Sequence, residues 1–470
     1  MKDFIINVGP QGTFKPSGEY HSVPNDVDEM FVRFEKGKVK KITLYFHGGL
    51  VNEKKGTATA VKMEKHFSSI GQASICLVWE TGLVETISAN ITKISETSLF
   101  RKLIKILIKK LSSRLGFDLA EGRGTGEMSD WEMENELSQP SPFENYTQSH
   151  LENTGRGSTS LLNEYELEAE FMYEVESDFE LTGILNETML TVSETSESQS
   201  RGIISSITLV KHLASIAIRV IKRFIVKRDH DFYPTIVEEL FREFYIAELG
   251  AWVWNNMKIK SRDMWKDNSA LQGTNQHAGR YLLDKLAEYY RKYPDSQINL
   301  VGHSAGSIAI CNLLKTSSEI YPELIYNKIV FMAPACRIDL FLEELASKPN
   351  RYKEFRIFTM NDKNEKKDIL VPFVYTHSLL YLISGILENE GKDFDAYILG
   401  LERHAYTYPP YDSVPEIKDS NIFLFQNNTN RIIFSQTKDN AEEGLQTFSL
   451  SHGGFDDDEK TISSIKFLLS

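Results

Sequence analysis

Ser304 stands between two glycines in the stretch INLVGHSAGSIAI, residues 298–310, which begins as an apolar, strand-like run. Gly302 and Gly306 complete a G-x-S-x-G pattern, in which a tight strand-to-helix turn exposes the serine hydroxyl above a sheet. A serine hydroxyl is a poor nucleophile at neutral pH, so it needs a base, an acid that orients the base, and donors for a developing oxyanion. A chance loop needs none of these partners, so the rest of the chain decides between the two interpretations.

Three histidines are candidates for the base. His452 follows the apolar run LQTFSLS and precedes the last predicted helix, which places it in a loop directly after a strand. His404 and His377 are weaker candidates because neither follows a strand at a predicted loop. His452 is therefore the predicted general base.

The acid that orients the base is expected after another strand. The run EFRIFTMN, residues 354–361, delivers Asp362 directly past a predicted strand. Asp362 is therefore the predicted acid, which would fix the imidazole tautomer and stabilise its charged form. Glu365, Asp368 and Asp339 remain alternatives.

A glycine pair after an earlier strand is a candidate oxyanion loop. The stretch LYFHGGL ends a strand-like run in His47, Gly48 and Gly49. Glycines there let backbone N–H groups approach an oxyanion without side-chain obstruction. Gly49, or alternatively Leu50, is predicted to supply one donor and Ala305, the residue after the serine, the second. An ordinary glycine turn would explain this motif if it stood alone.

Strands that alternate with helices must position these residues. Runs typical of buried strands cover residues 40–49, 73–82, 297–302, 328–335 and 354–361, and helical patterns lie between them. This alternation predicts an α/β fold with a mostly parallel sheet that is covered by helices on both faces. Ser304 then lies at the carboxyl end of a parallel strand, where reactive turns of such sheets occur.

Negative charge is concentrated in one segment of the chain. The 470 residues carry a net charge of −13, but residues 117–200 contain 20 acidic and 2 basic side chains, which leaves about +5 for the remainder. The segment is rich in Ser, Thr, Gly and Asn, so we expect most of it to be a disordered linker. Its stretch EYELEAEF alternates apolar and acidic residues and is an alternative candidate for an edge strand.

A basic amphipathic helix is predicted on each side of this acidic segment. Residues 99–116 carry six basic and no acidic side chains, and residues 201–228 carry seven and none. The apolar face of the first comprises Phe100, Leu103, Ile104, Leu107 and Leu111, with Lys102, Lys105 and Lys109 turned away, and that of the second includes Ile207, Val210, Ile218, Ile221 and Ile225. Their charges argue against spanning a membrane, so they either lie on a membrane surface or pack on the protein core.

Several classes of protein are disfavoured. Cys76, Cys311 and Cys336 are far apart and mostly lie in apolar runs, which favours neither a disulfide framework nor a zinc site. Nucleic-acid binding is disfavoured because the basic residues lie on apolar helices beside an acidic tract. The chain shows no apolar stretch of signal-peptide length at its start, so we expect a cytoplasmic protein.

The stretches LYFHGG, LVWETG, INLVGHSAGSIAI, IVFMAPA, FTMND and SHGGF resemble the α/β-hydrolase superfamily, and more closely its bacterial lipase-like members with a G-H-S-[AM]-G elbow. The resemblance covers about residues 40–82 and 276–470, and the order Ser304, Asp362, His452 agrees with it. The chain departs from the simple family pattern by an insertion of about 190 residues and by about 90 residues between the acid and the base. The resemblance implies an α/β-hydrolase fold, acyl-enzyme chemistry and ester substrates.

The expected organisation is a hydrolase core of residues 1–82 and 276–470, with residues 83–275 as a large helical and disordered cap insertion. Resemblance to lipases implies that this insertion includes a lid that binds acyl chains at an interface. We therefore expect a serine hydrolase of lipid or other small acyl esters, with possible peripheral membrane contact and with no metal or cofactor. Two alternatives stay open: a hydrolase-like scaffold without activity, and a module that tethers the chain to a membrane or protein partner through the insertion.

Overall fold

The computed structural model of this chain divides into two compact units. Unit 1 comprises Met1–Glu85, Trp252–Asp368 and Tyr397–Ser470, and unit 2 comprises Thr86–Ala251 and Ile369–Ala396. The structure describes residues 3–48, 52–79, 82–117, 128–145, 162–187, 189–194, 198–203, 205–388, 394–426 and 429–470.

The unit boundaries differ from the predicted core and insertion in three places. Residues 83–85 and 252–275, which were predicted to belong to the insertion, lie in unit 1, and residues 369–396, which were predicted to belong to the core, lie in unit 2. In unit 2, Tyr375 donates its hydroxyl to Glu238 at 2.7 Å. Local sequence patterns report secondary structure, but they do not report which distant segment an element packs against.

Unit 1 is built around a seven-stranded sheet in which every pairing is parallel. The strands of the described residues are β1 (Ile5–Asn7), β2 (Lys41–Phe46), β3 (Ala73–Val78), β4 (Met189–Glu194), β5 (Ser198–Ile203), β6 (Gln297–His303), β7 (Tyr326–Met332), β8 (Tyr352–Met360) and β9 (Ile432–Ser435). The sheet has the order β1-β3-β2-β6-β7-β8-β9, and β4 and β5 form a separate antiparallel pair in unit 2. The predicted α/β fold with a mostly parallel sheet is thus confirmed.

The α-helices of the described residues alternate with these strands in unit 1 and dominate unit 2. They are α1 (Pro24–Gly37), α2 (Glu53–Ser68), α3 (Leu83–Ser95), α4 (Ser98–Leu115), α5 (Asp130–Leu137), α6 (Glu164–Ser177), α7 (Phe179–Glu187), α8 (Ser206–Ile225), α9 (Phe232–Leu240), α10 (Ile246–Leu249), α11 (Ala251–Asp263), α12 (Ala278–Lys292), α13 (Gly306–Ile320), α14 (Ile338–Phe341), α15 (Asp362–Lys367), α16 (Leu379–Leu382), α17 (Pro415–Phe425) and α18 (Glu459–Leu469). Turns of π-helix cover Phe241–Tyr245, Leu342–Ala346 and Ile383–Leu387.

Helices cover both faces of the sheet, as the continuous apolar runs of its strands predict. On β2, the side chain of Tyr45 belongs to a buried cluster with Met63 of α2 and Ile465 of α18. Because side chains alternate along a strand, Phe46 lies on the opposite face, where α13 approaches its carbonyl group closely at Gly306. The carboxyl ends of the parallel strands therefore share one edge of a sheet that is buried on both sides.

The two predicted basic helices form and pack inside unit 2 as α4 and α8. The predicted apolar face of α4 is buried throughout. In α8 the predicted face is partly wrong, because Ile207 and Ile225 are exposed while Leu209 and Leu213 are buried instead. Apolar residues of α8 occur around much of its circumference, so the sequence alone does not determine which face of the helix is buried. Within the described residues, no helix combines the length and hydrophobicity needed to cross a bilayer.

The acidic stretch EYELEAEF is helical, although the sequence predicted a linker or an edge strand. It begins α6, in which Leu167, Phe171 and Val175 recur at every fourth position and are fully buried. A four-residue repeat places apolar side chains on one face of a helix, so they can pack together. The apolar spacing therefore favours a helix that the acidic composition obscured.

Acidic side chains of this segment pair with the basic side chains of α4. The pairs are Lys102 with Asp178 and Glu180, Lys105 with Glu134, Lys109 and Lys110 with Glu174, and Arg114 with Glu166 and Glu170. The basic residues that were predicted to face water or a membrane thus have partners within unit 2. Contact of this chain with a membrane stays a prediction.

A cluster of buried charges lies within unit 2. The guanidinium of Arg223 is 2.7 Å from the carboxylate of Glu238 and 3.1 Å from that of Glu239, and all three side chains are fully buried. Burial raises the pKa of Glu238, but the charges of His230 and Arg223 outweigh this effect and lower the pKa to about 2. Charges this deeply buried are tolerated only when they are paired.

Replacing Glu238 with glutamine is expected to lower the free energy of unfolding by about 3–5 kcal/mol, because it leaves Arg223 buried without one of its counter-charges. The matched control Glu323→Gln removes an exposed partner of Arg291 and should have little effect. Chemical denaturation of the wild type and both variants measures the difference. Equal losses in the two variants would show that the buried pair contributes no more to the free energy of unfolding than the exposed pair.

Candidate active site

Ser304 lies in a sharp turn between the carboxyl end of β6 and the start of α13. Its φ of 50° is in the left-handed region, which is strained for a residue with a side chain. The turn is held by its neighbours, since Ser304 N–H donates to the Met332 carbonyl at 2.8 Å and Ala335 N–H donates to the Ser304 carbonyl at 3.1 Å. The strand, turn and helix that the G-x-S-x-G pattern requires are therefore all present.

The two glycines of the pattern allow this turn because the backbone passes close on both sides. A Cβ on Gly306 would lie 2.2 Å from the carbonyl oxygen of Phe46. A Cβ on Gly302 would lie 2.8 Å from Cδ1 of Ile310. Larger residues would force the helix away from the sheet at the position where Ser304 is displayed.

The hydroxyl of Ser304 is 2.8 Å from Nε2 of His452. His452 begins a short 3₁₀ turn before α18, and both side chains are buried. The two atoms are within the distance needed for a base to take the hydroxyl proton. The structure thus brings together the predicted nucleophile and the predicted base, which are 148 residues apart in the chain.

The carboxylate next to His452 is that of Asp368, not that of Asp362. Oδ2 of Asp368 accepts the backbone N–H of His452 at 2.7 Å, and burial raises the pKa of Asp368 although this hydrogen bond opposes the effect. Asp362 begins α15, and its backbone N–H donates to Glu402 at 2.7 Å. The structure therefore does not bring Asp362 to His452. Among the described residues, Nδ1 of His452 has no hydrogen-bond partner.

A local helix cap explains why Asp368 rather than Asp362 lies beside His452. The side chain of Asn361 accepts the N–H of Asn364 at 2.9 Å, which starts α15 directly after β8. The helix begins at Asp362 and ends at Lys367, so Asp368 is the first residue after it. The N-x-x-N spacing after the strand was the signal in the sequence that could have indicated this helix.

The remaining candidates for base and acid have other surroundings. His404 accepts a backbone N–H through Nδ1 at 3.0 Å, and His377 lies in unit 2. Asp339 is exposed and pairs with Arg337 at 2.9 Å, and Glu365 is fully buried in α15. Asp368 is therefore the alternative acid that the geometry favours.

The glycine loop is described as far as Gly48. Gly49 and Leu50 lie outside the described residues, and so does the prediction that one of them donates to an oxyanion. A Cβ on Gly48 would lie 3.3 Å from Cβ of Ser304, so the loop runs directly beside the nucleophile. On the other side of Ser304, Ala305 is buried at the start of α13, where backbone N–H groups lack partners within the helix.

His47 holds this loop through a neutral ring. Its Nε2 accepts the backbone N–H of Trp79 at 3.0 Å, which leaves the proton on Nδ1 to be donated to the Gly48 carbonyl at 2.6 Å. Burial lowers the pKa of His47 to about 4, although the bond to Gly48 opposes the effect. The ring therefore stays uncharged at neutral pH and fixes the position of Gly48.

A chain of polar side chains next to His452, in which Tyr45 and His303 are buried and Asp456 is largely buried, was not predicted. His303 contacts Asp456 through Nδ1 at 2.8 Å and the carbonyl oxygen of His452 through Nε2 at 2.9 Å. Tyr45 donates its hydroxyl to the same carboxylate at 2.8 Å. Asp456 is the first of three consecutive aspartates, and the sequence offers no signal that distinguishes it from its neighbours.

The surroundings of His452 favour its neutral form. Burial and the charge of His303 lower the pKa of His452 to about 3, although Asp456 opposes the effect. A neutral imidazole is the form that can accept a proton from Ser304. The site therefore contains a serine with a strained backbone whose hydroxyl contacts an unprotonated imidazole.

Comparison of the chain with family models, curated proteins and solved structures gives no match. Among the described residues, no group of three or more His, Cys, Asp or Glu side chains is arranged to hold a metal ion. The chemistry of the site must therefore be argued from its geometry.

Proposed function

We propose that this chain is a serine hydrolase with an α/β-hydrolase fold that cleaves carboxylic esters, with lipid or other acyl esters as the substrate class. The observation that carries the proposal is the 2.8 Å contact between Ser304 Oγ and His452 Nε2 at a strained turn. A serine hydroxyl becomes a useful nucleophile when a base lies within hydrogen-bond reach. The carboxyl edge of a parallel sheet is also where ligands of such folds bind.

In the proposed reaction, Ser304 attacks the ester carbonyl while His452 accepts the hydroxyl proton through Nε2. The imidazolium then donates this proton to the departing alkoxide, which leaves as an alcohol and gives the acyl-enzyme. Water next attacks the acyl carbonyl and transfers a proton to His452, and that proton returns to Ser304 as the carboxylic acid departs. The cycle regenerates both residues and requires no cofactor.

We assign the orienting acid to Asp368 instead of Asp362. The Asp368 carboxylate already accepts the backbone N–H of His452, and Nδ1 of the same residue lacks a partner among the described residues. We propose that the Asp368 carboxylate turns to accept Nδ1–H during the reaction, which would fix the ring tautomer and stabilise the imidazolium. Catalytic hydrogen bonds are often poorly aligned before the substrate binds, so the observed geometry is compatible with this role.

The oxyanion donors in this proposal are the backbone N–H groups of Ala305 and Gly49. Ala305 follows the nucleophile at the start of α13, where free N–H groups and the helix dipole favour negative charge. Loss of one such donor typically costs about 3 kcal/mol of transition-state stabilisation. The Gly49 donor stays a prediction from the glycine pattern.

The other expectations from the sequence stay predictions. An inactive scaffold would not need a strained serine against a neutral imidazole, so the site gives that alternative no support. Tethering to an anionic membrane would need free basic side chains, whereas five of those on α4 have acidic partners within unit 2. A cytoplasmic location and peripheral membrane contact have no direct support in the site.

Burst kinetics with p-nitrophenyl esters of increasing chain length test the proposal. We expect rapid release of about one equivalent of p-nitrophenol per enzyme, followed by a slower steady state, because an acyl-enzyme accumulates when its hydrolysis is slow. A kcat/KM that rises with chain length would support lipid-like substrates, and preference for acetate would support small esters. Failure of the folded protein to hydrolyse any member of the series would contradict the proposal.

A further inference from the structure

We propose that His303 is a positioning residue, and that its ion pair with Asp456 fixes the backbone of His452 and the charge around it. This inference rests on the proposed function, because it assigns a role to a group that acts through the proposed base. His303 precedes Ser304 in the chain, yet its ring bonds to the segment that carries His452. The G-x-S-x-G motif therefore contributes two side chains: Ser304 contacts the imidazole of His452, and His303 binds the backbone of His452.

The hydrogen bonds of His303 require a charged ring. Nδ1 faces the carboxylate of Asp456 and Nε2 faces the carbonyl oxygen of His452, at 2.8 Å and 2.9 Å. A carbonyl oxygen and an ionised carboxylate can only accept, so both ring nitrogens must donate. The hydroxyl of Tyr45 donates to the other oxygen of Asp456, which supports the ionised state of that carboxylate.

The pKa values of the pair agree with this assignment. Burial alone lowers the pKa of His303, but the charge and hydrogen bond of Asp456 outweigh it and the pKa is raised. Burial raises the pKa of Asp456, but the charge of His303 and the bonds from His303 and Tyr45 outweigh it and the pKa is lowered. Both shifts favour a cation on His303 and an anion on Asp456 at neutral pH.

Two bonds hold the backbone of His452 from opposite sides of the residue. His303 binds its carbonyl oxygen at 2.9 Å, and Asp368 binds its N–H at 2.7 Å. Both polar backbone groups of the proposed base are thus engaged by side chains from β6 and from the end of α15. This arrangement restricts the backbone from which the imidazole reaches Ser304.

His303 also determines how readily His452 accepts a second proton. The two rings have centroids 5.5 Å apart and planes inclined by 33°. The other titratable groups around the pair are Asp457, His47 and Asp368. Two unit charges at such a separation change a pKa by about two units at an effective dielectric constant of about 20. A protonated His303 therefore helps to keep His452 neutral.

The variant His303→Gln removes the charge but retains an amide that can donate to the His452 carbonyl. It leaves Asp456 as an unpaired anion, which raises the pKa of His452. We expect the acid limb of the pH profile of kcat/KM to move upward by about one to two pH units. In the double variant His303→Gln with Asp456→Asn both charges are absent, so the limb should return toward its wild-type position.

Asp457→Asn is the matched control, because Asp457 follows Asp456 directly but is exposed and pairs with Lys62. Its pH profile should remain close to that of the wild type. A His303→Gln profile that coincides with that of the wild type would overturn the positioning role. Equal upward movement in the single and double variants would also overturn it, because a packing defect would not depend on charge balance.

A second measurement separates this inference from the proposed function. In wild-type protein labelled with ¹⁵N-histidine, NMR at pH 8 should show the imidazole of His303 with both nitrogens protonated, in addition to the charged ring of His230 in unit 2, although an ordinary histidine has a pKa of about 6.5. Loss of the signal in Asp456→Asn or His303→Gln assigns it. Absence of a doubly protonated ring assigned to His303 would overturn the ion pair even if the enzyme hydrolyses esters. Presence of this ring without ester hydrolysis would retain the ion pair and reject the proposed function.

Discussion

Replacement of His452 by alanine is expected to lower kcat for ester hydrolysis by about 10⁶-fold, because Ser304 then has no base to take its proton. The 2.8 Å contact between Ser304 Oγ and His452 Nε2 is the physical reason for so large an effect. Steady-state kinetics on the p-nitrophenyl ester that the wild type hydrolyses best measures the loss. The partly exposed His66 on α2 provides the control, since His66→Ala should retain wild-type kinetics.

The loss in His452→Ala should also fail to add to that of the nucleophile. Ser304→Ala alone and the double variant should be reduced to the same residual rate, since residues of one catalytic unit act together. Retention of a tenth or more of the wild-type kcat by folded His452→Ala would show that another group serves as the base. His404 would then be the first residue to substitute next.

Asp368→Asn is expected to lower kcat by about 10⁴-fold, whereas Asp362→Asn should change it little. The amide of asparagine is uncharged and its N–H can donate to Nδ1, so it fails to stabilise the imidazolium and favours the wrong tautomer. Asp362 is a matched control because it has the same side chain six residues earlier and lies at the start of α15. Parallel kinetics of the two variants measures the difference.

The reverse outcome for this pair has a definite meaning. If Asp362→Asn loses activity and Asp368→Asn keeps it, the strand-end prediction from the sequence is the correct assignment of the acid. If both variants remain active, neither carboxylate orients His452, and the buried Glu365 becomes the residue to test. Circular dichroism of each variant establishes that a loss is not a loss of fold.

The sheet and the serine turn were predictable because their signals are local. Buried parallel strands are continuous apolar runs, and the glycines beside Ser304 mark the place where strand and helix approach too closely for a side chain. His452 was predictable as a candidate because it follows an apolar run near the last helix. Its contact with Ser304 is nonlocal and needed the structure.

The contact of Asp368 with His452 and the pair of His303 with Asp456 could not be predicted because both depend on distant contacts. The short helix α15, capped by Asn361, places Asp368 and not Asp362 beside His452. The sequence after β8 is too short to predict whether the chain forms this helix or continues as a loop. Asp456 differs from the two aspartates after it only through His303 and Tyr45, which lie far away in the chain. No local pattern reports such partners.

The acidic segment shows the same limitation for helix formation. Composition predicted disorder because the segment offers few apolar residues and much like charge. The structure places its negative side chains against the basic face of α4, as in the 2.8 Å pair of Glu170 and Arg114. The positive charges of α4 reduce the repulsion among the acidic side chains, which was the reason to expect disorder in this segment. The net charge of a sequence segment therefore does not describe the electrostatic environment of its side chains in the folded protein.

Covalent labelling with a fluorophosphonate probe tests the central claim most directly, because the probe reacts with serine hydroxyls that a base activates. We expect intact mass spectrometry to show one probe on the wild-type chain, peptide mapping to place it on Ser304, and Ser304→Ala to remain unlabelled. Labelling of His452→Ala should be far slower than that of the wild type. Labelling of folded Ser304→Ala at the wild-type rate, or a folded wild type that takes no probe, would contradict the account.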